Sequence, residues 1–145
     1  MENTTPKELD KLDTLFKMQA ELNDSVFERR GITNNAGQRL RSADFQDYAK
    51  GNLTQIGETN TWCSRYLEAL LSECDEIKRE LLVKFWSAKE IDVSKLRVEI
   101  IDAWHFMISL SIAAGMSAED ILEVYKAKHA ENIKRQENGY APANS

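Results

Sequence analysis

Proline is nearly missing from this chain: there are two, and Pro6 and Pro142 both stand near the ends. Between them no residue breaks a helix by withdrawing its N–H donor. Glycine is sparse at six residues, and sustained β-branched alternation is absent, which leaves strands without a signal. The two cysteines, Cys63 and Cys74, fall in one predicted helix about three turns apart, so they cannot bridge within it. A reducing, cytoplasmic setting is the expectation. Basic excess is also missing. A formal net charge of -5 offers no field to gather nucleic acid, and an anionic substrate would need local cations. The opening MENTTPKELDKLD is polar and acidic where an export signal is basic and then apolar, so no export is expected.

What remains is helical. The chain has 145 residues and 42% hydrophobic content, which suits a single domain over residues 1–145 with a core of its own. Thr5-Pro6-Lys7-Glu8 reads as a helix start, and apolar residues from Leu12 to Phe27 recur at threes and fours up to about Arg29. Gly31 to Thr61 is rich in Gly, Asn, Thr and Ser, with a short helix expected around Leu40 to Lys50. A second long helix starts near Thr59 to Thr61, with Leu67, Leu70, Leu71, Cys74, Ile77 and Leu81 as its core stripe. A third spans about Ser94 to Ala114 and stops at Gly115. Ser117-Ala118-Glu119-Asp120 resembles a capping box and opens a fourth, to about Gln136. Residues 141–145 are expected to fray. The fold class is therefore all-α, a four-to-five-helix bundle.

Within the third helix, VEIIDAWHF places Glu99 and Asp102 in a run that is otherwise almost wholly apolar from Val98 to Met116. That run is about long enough to cross a bilayer, but two acids near one end fit a bundle core better, and no membrane partner is expected. A carboxylate in apolar surroundings is costly unless something compensates its charge. Glu73 and Glu76 repeat the three-residue spacing on the second long helix, which puts each pair on one side of its helix about a turn apart. Glu73 lies roughly 90° and Glu76 roughly 150° from the centre of the apolar stripe on a regular helical wheel. If the two helices pack antiparallel, four carboxylates converge and repel one another unless cations join them. Oxygen-only ligands select hard ions, magnesium first, with manganese as substitute. Two plainer readings stand beside this one. Glu73 and Glu76 face water in the first, and in the second Glu99 and Asp102 are neutralised by Lys or Arg from another helix.

At these residues, read ECDE and EIID, the sequence resembles the all-α nucleoside triphosphate pyrophosphohydrolases, the MazG-like superfamily, whose signature is ExxE followed downstream by ExxD. Its closer likeness is to the dimeric dUTPases and the tailed-phage dCTP/dUTP pyrophosphatases. LFKMQAELND, KFW and KHAENIKRQENGY support that branch, and together the matches cover most of the chain except Gly31 to Thr59. The resemblance implies hydrolysis of a deoxynucleoside triphosphate between the α and β phosphates, with magnesium held by Glu73, Glu76, Glu99 and Asp102. Glu73 is the implied base, with Glu76 as its alternative. Lys128, Asn132 and Arg135 match the family's phosphate-binding K-x3-N-x2-R spacing, and Lys84 opens KFW beside the acidic helix as a further phosphate ligand. An ordinary basic helix end is the plainer reading of the first three.

Gln19 and Asn23 match a Q-x3-N associated with base and sugar recognition, and Trp62 matches an aromatic position near the nucleoside, with core packing as its alternative. The expected substrate is dUTP, with dCTP also accepted. A purine-preferring or broad pyrophosphohydrolase is the runner-up, and a non-catalytic metal-binding helical assembly protein is the reading from another class. Apolar residues such as Trp86, Trp104, Phe106 and Met107 exceed what one small bundle covers, so a homodimer is expected. His105 reads as a hydrogen-bonded buried imidazole, His129 as solvated, and the cysteines as small apolar fillers. Glu80, a turn beyond Glu76, either supports the site or pairs with a neighbouring cation.

Overall fold

The computed structural model describes residues 8–51, 56–81, 86 and 90–139. Lys84, the Thr5-Pro6-Lys7 start and the 141–145 tail lie outside the described residues. Five helices follow in order: α1 Lys11–Arg30, α2 Asp44–Ala49, α3 Ile56–Leu81, α4 Val93–Ala113 and α5 Ala118–Glu137. Among the described residues there is no strand, and the one β-type contact is an isolated bridge between Thr33 and Arg39.

Local chemistry sets the helix ends. α1 starts later than Thr5-Pro6-Lys7-Glu8 suggests, because Glu8 to Asp10 are outside any helix. Asp10 Oδ1 accepts from the Asp13 N–H at 2.8 Å while the Asp13 side chain turns back to the Asp10 N–H, so this reciprocal pair satisfies the N–H groups of Asp10 and Asp13 at the helix start. Ser117 and Asp120 form the capping box expected of α5, and these hydrogen bonds hold the Asp120 carboxyl below its ordinary pKa. α4 is capped by Asp92, whose side chain accepts from the Lys95 N–H.

Three contacts fix how the long helices pack. Lys95 reaches Glu80 at 3.0 Å, Glu73 lies against Glu99 and Asp102, and Trp62 shares a core cluster with Ile108 and Ile112. The register runs backwards, so α3 and α4 are antiparallel. α1 instead runs parallel to α4, as Gln19 meets His105 and Asn23 meets Ser109. α2 packs on α3 and α4, and the substantial packing partner of α5 is α1. α4 and α5 meet at a 98° bend, and no single described helix is long and apolar enough to cross a membrane.

The core is smaller than the apolar pattern suggests. Phe27, Leu40, Phe45, Tyr48, Trp62, Ile108, Ile112 and Ala113 make up its centre, and three of these come from the Gly31 to Thr61 stretch that has no helical periodicity of its own. Of the stripe expected on α3, Leu70 is buried, whereas Leu67, Leu71, Leu81 and Cys74 are exposed. On α1 the buried line is Gln19, Asn23 and Phe27, while Leu15, Met18, Leu22 and Val26 face outward. α4, expected to be covered all round, leaves Val98, Ile101, Trp104 and Met107 open. The reason is geometric. The described residues leave one side of α4 without neighbours, and the apolar periodicity marks two faces.

Two glycines separate conformational need from close packing. Gly31 ends α1 at φ +61° with open space around it, whereas Gly115 at φ +82° is pressed against Ala49 Cβ and sits with its missing Cβ 2.8 Å from the Phe45 carbonyl oxygen. Gly31→Ala should cost about 1 kcal/mol for the left-handed backbone alone. Gly115→Ala should cost about 3 kcal/mol, since α2 must also move. Urea denaturation of both variants checks this, and equal losses would contradict the close α2 to α4 approach.

Candidate active site

Antiparallel packing of α3 on α4 brings three carboxylates together. One oxygen from each of Glu73, Glu99 and Asp102 lies within 4.8 Å of the others, and all three residues are half-buried. Burial first, then Asp102, Glu99 and Glu76, push the Glu73 pKa upward. Glu76 stands beside this group rather than in it, since Arg79 holds its Oε1 at 3.0 Å. Glu80 is engaged by Lys95. No cation reaches the trio in any ion pair among the described residues, so the charge is left for a ligand to answer. Three half-buried oxygen donors at this separation fit a hard divalent ion.

Next to the trio lies an apolar cleft of about 420 Å³ between α1 and α4. Leu15, Met18, Leu22, Ile101, Trp104 and Ile108 wall it, and Gln19 and His105 supply its polar atoms. Because His105 follows Asp102 by three residues, the cleft opens one turn along α4 from the carboxylates. Gln19 Nε2 donates to Asn23 Oδ1 at 2.9 Å, Asn23 Nδ2 donates to Ser109 Oγ at 3.2 Å, and His105 Nδ1 stands 2.6 Å from Gln19 Oε1. Gln19, Asn23 and Ser109 are buried. Buried amides survive because each finds a partner.

The sequence motif does not reveal the other two members of this network. His105 is bonded as expected, though much of its ring is open to the cleft, and Ser109 passes unnoticed in an apolar helix. Its one available signal was position, a hydroxyl one turn beyond His105 and two turns beyond Asp102's neighbour Ile101.

Trp62 belongs to the core. The edge of Phe27 meets it at 5.0 Å between ring centres, Tyr66 packs beside it, and the Arg65 guanidinium lies 4.7 Å from its ring centre. It does not line the cleft. Lys128, Asn132 and Arg135 share the exposed α5 surface, where Lys128 and Arg135 both bind Glu131, at 3.1 and 2.7 Å. Those two cations hold the Glu131 carboxyl below its ordinary pKa.

Comparison with known proteins agrees with the all-α class. The family model for dUTPase matches residues 11–118. The chain belongs to this dUTPase family. It is 33% identical over 79 residues to a dCTP pyrophosphatase of Enterobacteria phage T4 and 35% identical over 79 residues to one of Enterobacteria phage LZ5. Each match takes in 54% of this chain and 40% of the relative. A DNA replication protein of Enterobacteria phage T4 is 32% identical over 75 residues, which is 50% of this chain and 16% of that protein. The chain thus spans well under two thirds of the curated relatives it matches. No solved structure matches it.

A carboxyl whose folded pKa is raised binds protons more readily folded than unfolded, so its charged form opposes folding at neutral pH, and that opposition fades as pH falls through the folded value. Metal-free Glu73→Gln should therefore melt above wild type at pH 7, with the gap closing toward about pH 4, the unperturbed carboxylate range. Thermal melts across that range check it. A variant less stable than wild type at pH 7 would contradict the charge crowding.

Proposed function

We propose that this protein hydrolyses a deoxynucleoside triphosphate, dUTP in the first place and dCTP as well, to the monophosphate and pyrophosphate. The observation that carries the reading is the carboxylate trio of Glu73, Glu99 and Asp102, unpaired by any described cation, one helical turn from a cleft with amide and imidazole groups. These three residues hold magnesium, or manganese in its place, and Glu76 stands ready at the flank. When bound, such an ion neutralises phosphate charge and makes a coordinated water more acidic. Glu73, whose burial and acidic neighbours raise its proton affinity, orients the attacking water and takes its proton, and Glu76 is the alternative. The cleft takes the pyrimidine between Leu22, Ile108 and Trp104, with Gln19 and Asn23 governing its polar edge.

Lys128, Asn132 and Arg135 bind phosphate oxygens, with Arg135 as a fork and Lys128 as a point charge. The phosphates displace Glu131 as their partner, and Lys84 is a further candidate ligand. Within one chain α5 packs on α1, so a second copy is the natural route by which α5 cations join the carboxylates. The open apolar residues favour the same conclusion. Leu70, Cys74, Ile100, Trp104 and Met107 line a groove on the α3 and α4 surface that a homodimer would cover.

Glu73→Gln and Asp102→Asn should each lower turnover at least about a hundredfold, the scale of removing a group that stabilises charge in the transition state. Pyrophosphate release with magnesium, read beside circular dichroism, checks this. Full activity in either folded variant, or turnover in thoroughly chelated protein, would contradict the metal role. Sedimentation should show a dimer at micromolar concentration, and a monomer with full activity would contradict the shared arrangement.

A further inference from the structure

The four side chains linking α1 to α4 form one directional series. As drawn by the donors, His105 Nδ1–H gives to Gln19 Oε1, Gln19 Nε2 to Asn23 Oδ1, and Asn23 Nδ2 to Ser109 Oγ. Amide oxygen and nitrogen exchange places by a half-turn of the group, and a serine hydroxyl rotates freely. The same heavy-atom positions therefore satisfy a second, reversed order. In it Ser109 O–H gives to Asn23, Asn23 to Gln19, and Gln19 to an unprotonated His105 Nδ1. No member loses a partner in either order, and no intermediate mixture satisfies them all. The two orders differ at the end that faces the cleft. With Nδ1 protonated, His105 Nε2 is an acceptor; in the reversed order Nδ1 gives its proton to solvent water, Nε2 takes one from it, and Nε2 becomes a donor.

We infer that His105, Gln19, Asn23 and Ser109 are a reversible polar relay through which one cleft accepts both cytosine and uracil. This rests on the hydrolysis proposed above. The two bases differ on one edge: uracil carries an N3–H donor and an O4 acceptor, cytosine an N3 acceptor and an N4 amino donor. If Nε2 meets position 4, cytosine selects the first order and uracil the second. If it meets position 3, the selection is the other way round. In either pose the two bases call for opposite tautomers of His105. A relay with a single permitted order would reject one of them, since a site built to pair a polar edge discriminates strongly against an edge that leaves it unpaired. Ser109 and Asn23 are positioning residues here, setting from the buried end what His105 presents at the open end.

The test reads the tautomer directly. The chain has two histidines, and His129→Gln leaves His105 as the one imidazole to observe by nitrogen-15 NMR. With magnesium and the non-hydrolysable α,β-imido analogues of dCTP and dUTP, the expected result is opposite His105 tautomers in the two complexes. The same tautomer in both overturns the relay. Asn23→Asp, assayed at pH 8, supplies a second measure, because an ionised carboxylate only accepts and holds Gln19 in the first order. The kcat/KM ratio for dCTP over dUTP should then move at least about tenfold from the wild-type ratio, one lost hydrogen bond's worth of discrimination. An active Asn23→Asp enzyme with the wild-type ratio overturns the relay, as does a wild-type enzyme that turns over one pyrimidine and not the other. A wild-type protein that hydrolyses neither nucleotide and binds neither analogue overturns the hydrolysis itself, and the relay falls with it.

Discussion

Mutual repulsion between carboxylates is the constraint around which this structure is arranged. Glu73 from α3 is held close to Glu99 and Asp102 from α4, and burial first and those neighbouring carboxylates second raise its pKa. Antiparallel packing makes that crowding unavoidable, because the register fixed by Lys95 with Glu80 at one end and by Trp62 with Ile108 at the other leaves the acids opposite one another. Such crowding weakens the fold unless a cation relieves it. Stability and chemistry are opposed at this one place, which is where a functional site is expected to violate the rules that hold elsewhere.

The remaining elements position what surrounds the acids. α2 and the loop before it push Leu40, Phe45 and Tyr48 into the space between α3 and α4, and Gly115 lets that plug sit close. Glu58 is buried in the first turn of α3; burial first and that carboxylate second hold the Tyr48 phenol well above its ordinary pKa. α1 contributes its amides rather than its leucines to the interior, so the cleft beside the carboxylates is built from a polar line flanked by apolar walls. An amide network of this kind specifies a single packing more firmly than it adds stability.

Much of this was legible in the sequence, for particular reasons. The all-α class followed from proline confined to the termini, and α5 from Ser117 and Asp120, whose capping box depends on local chemistry alone. The acidic pairs stood out because Glu99 and Asp102 interrupt an apolar run. Other features depended on tertiary partners that no local pattern encodes. α1 starts at Lys11 because Asp10 and Asp13 cap each other, a signal that competes with Thr5-Pro6 and cannot be ranked against it by propensity. Gln19 and Asn23 carry the polarity of surface residues but are buried by finding Ser109 and His105 more than eighty positions away. Leu67, Leu71 and Trp104 follow core periodicity, yet the described residues leave them exposed. Periodicity records which faces are apolar, not which molecule covers them.

The central claim is that residues on two helices form one cation site. The most direct measurement is anomalous diffraction from crystals grown with manganese and a non-hydrolysable deoxynucleotide. The account predicts a manganese peak bounded by oxygens of Glu73, Glu99 and Asp102, with the nucleotide phosphates completing its shell. A bound nucleotide with no peak there, or a peak held by other residues, would contradict it.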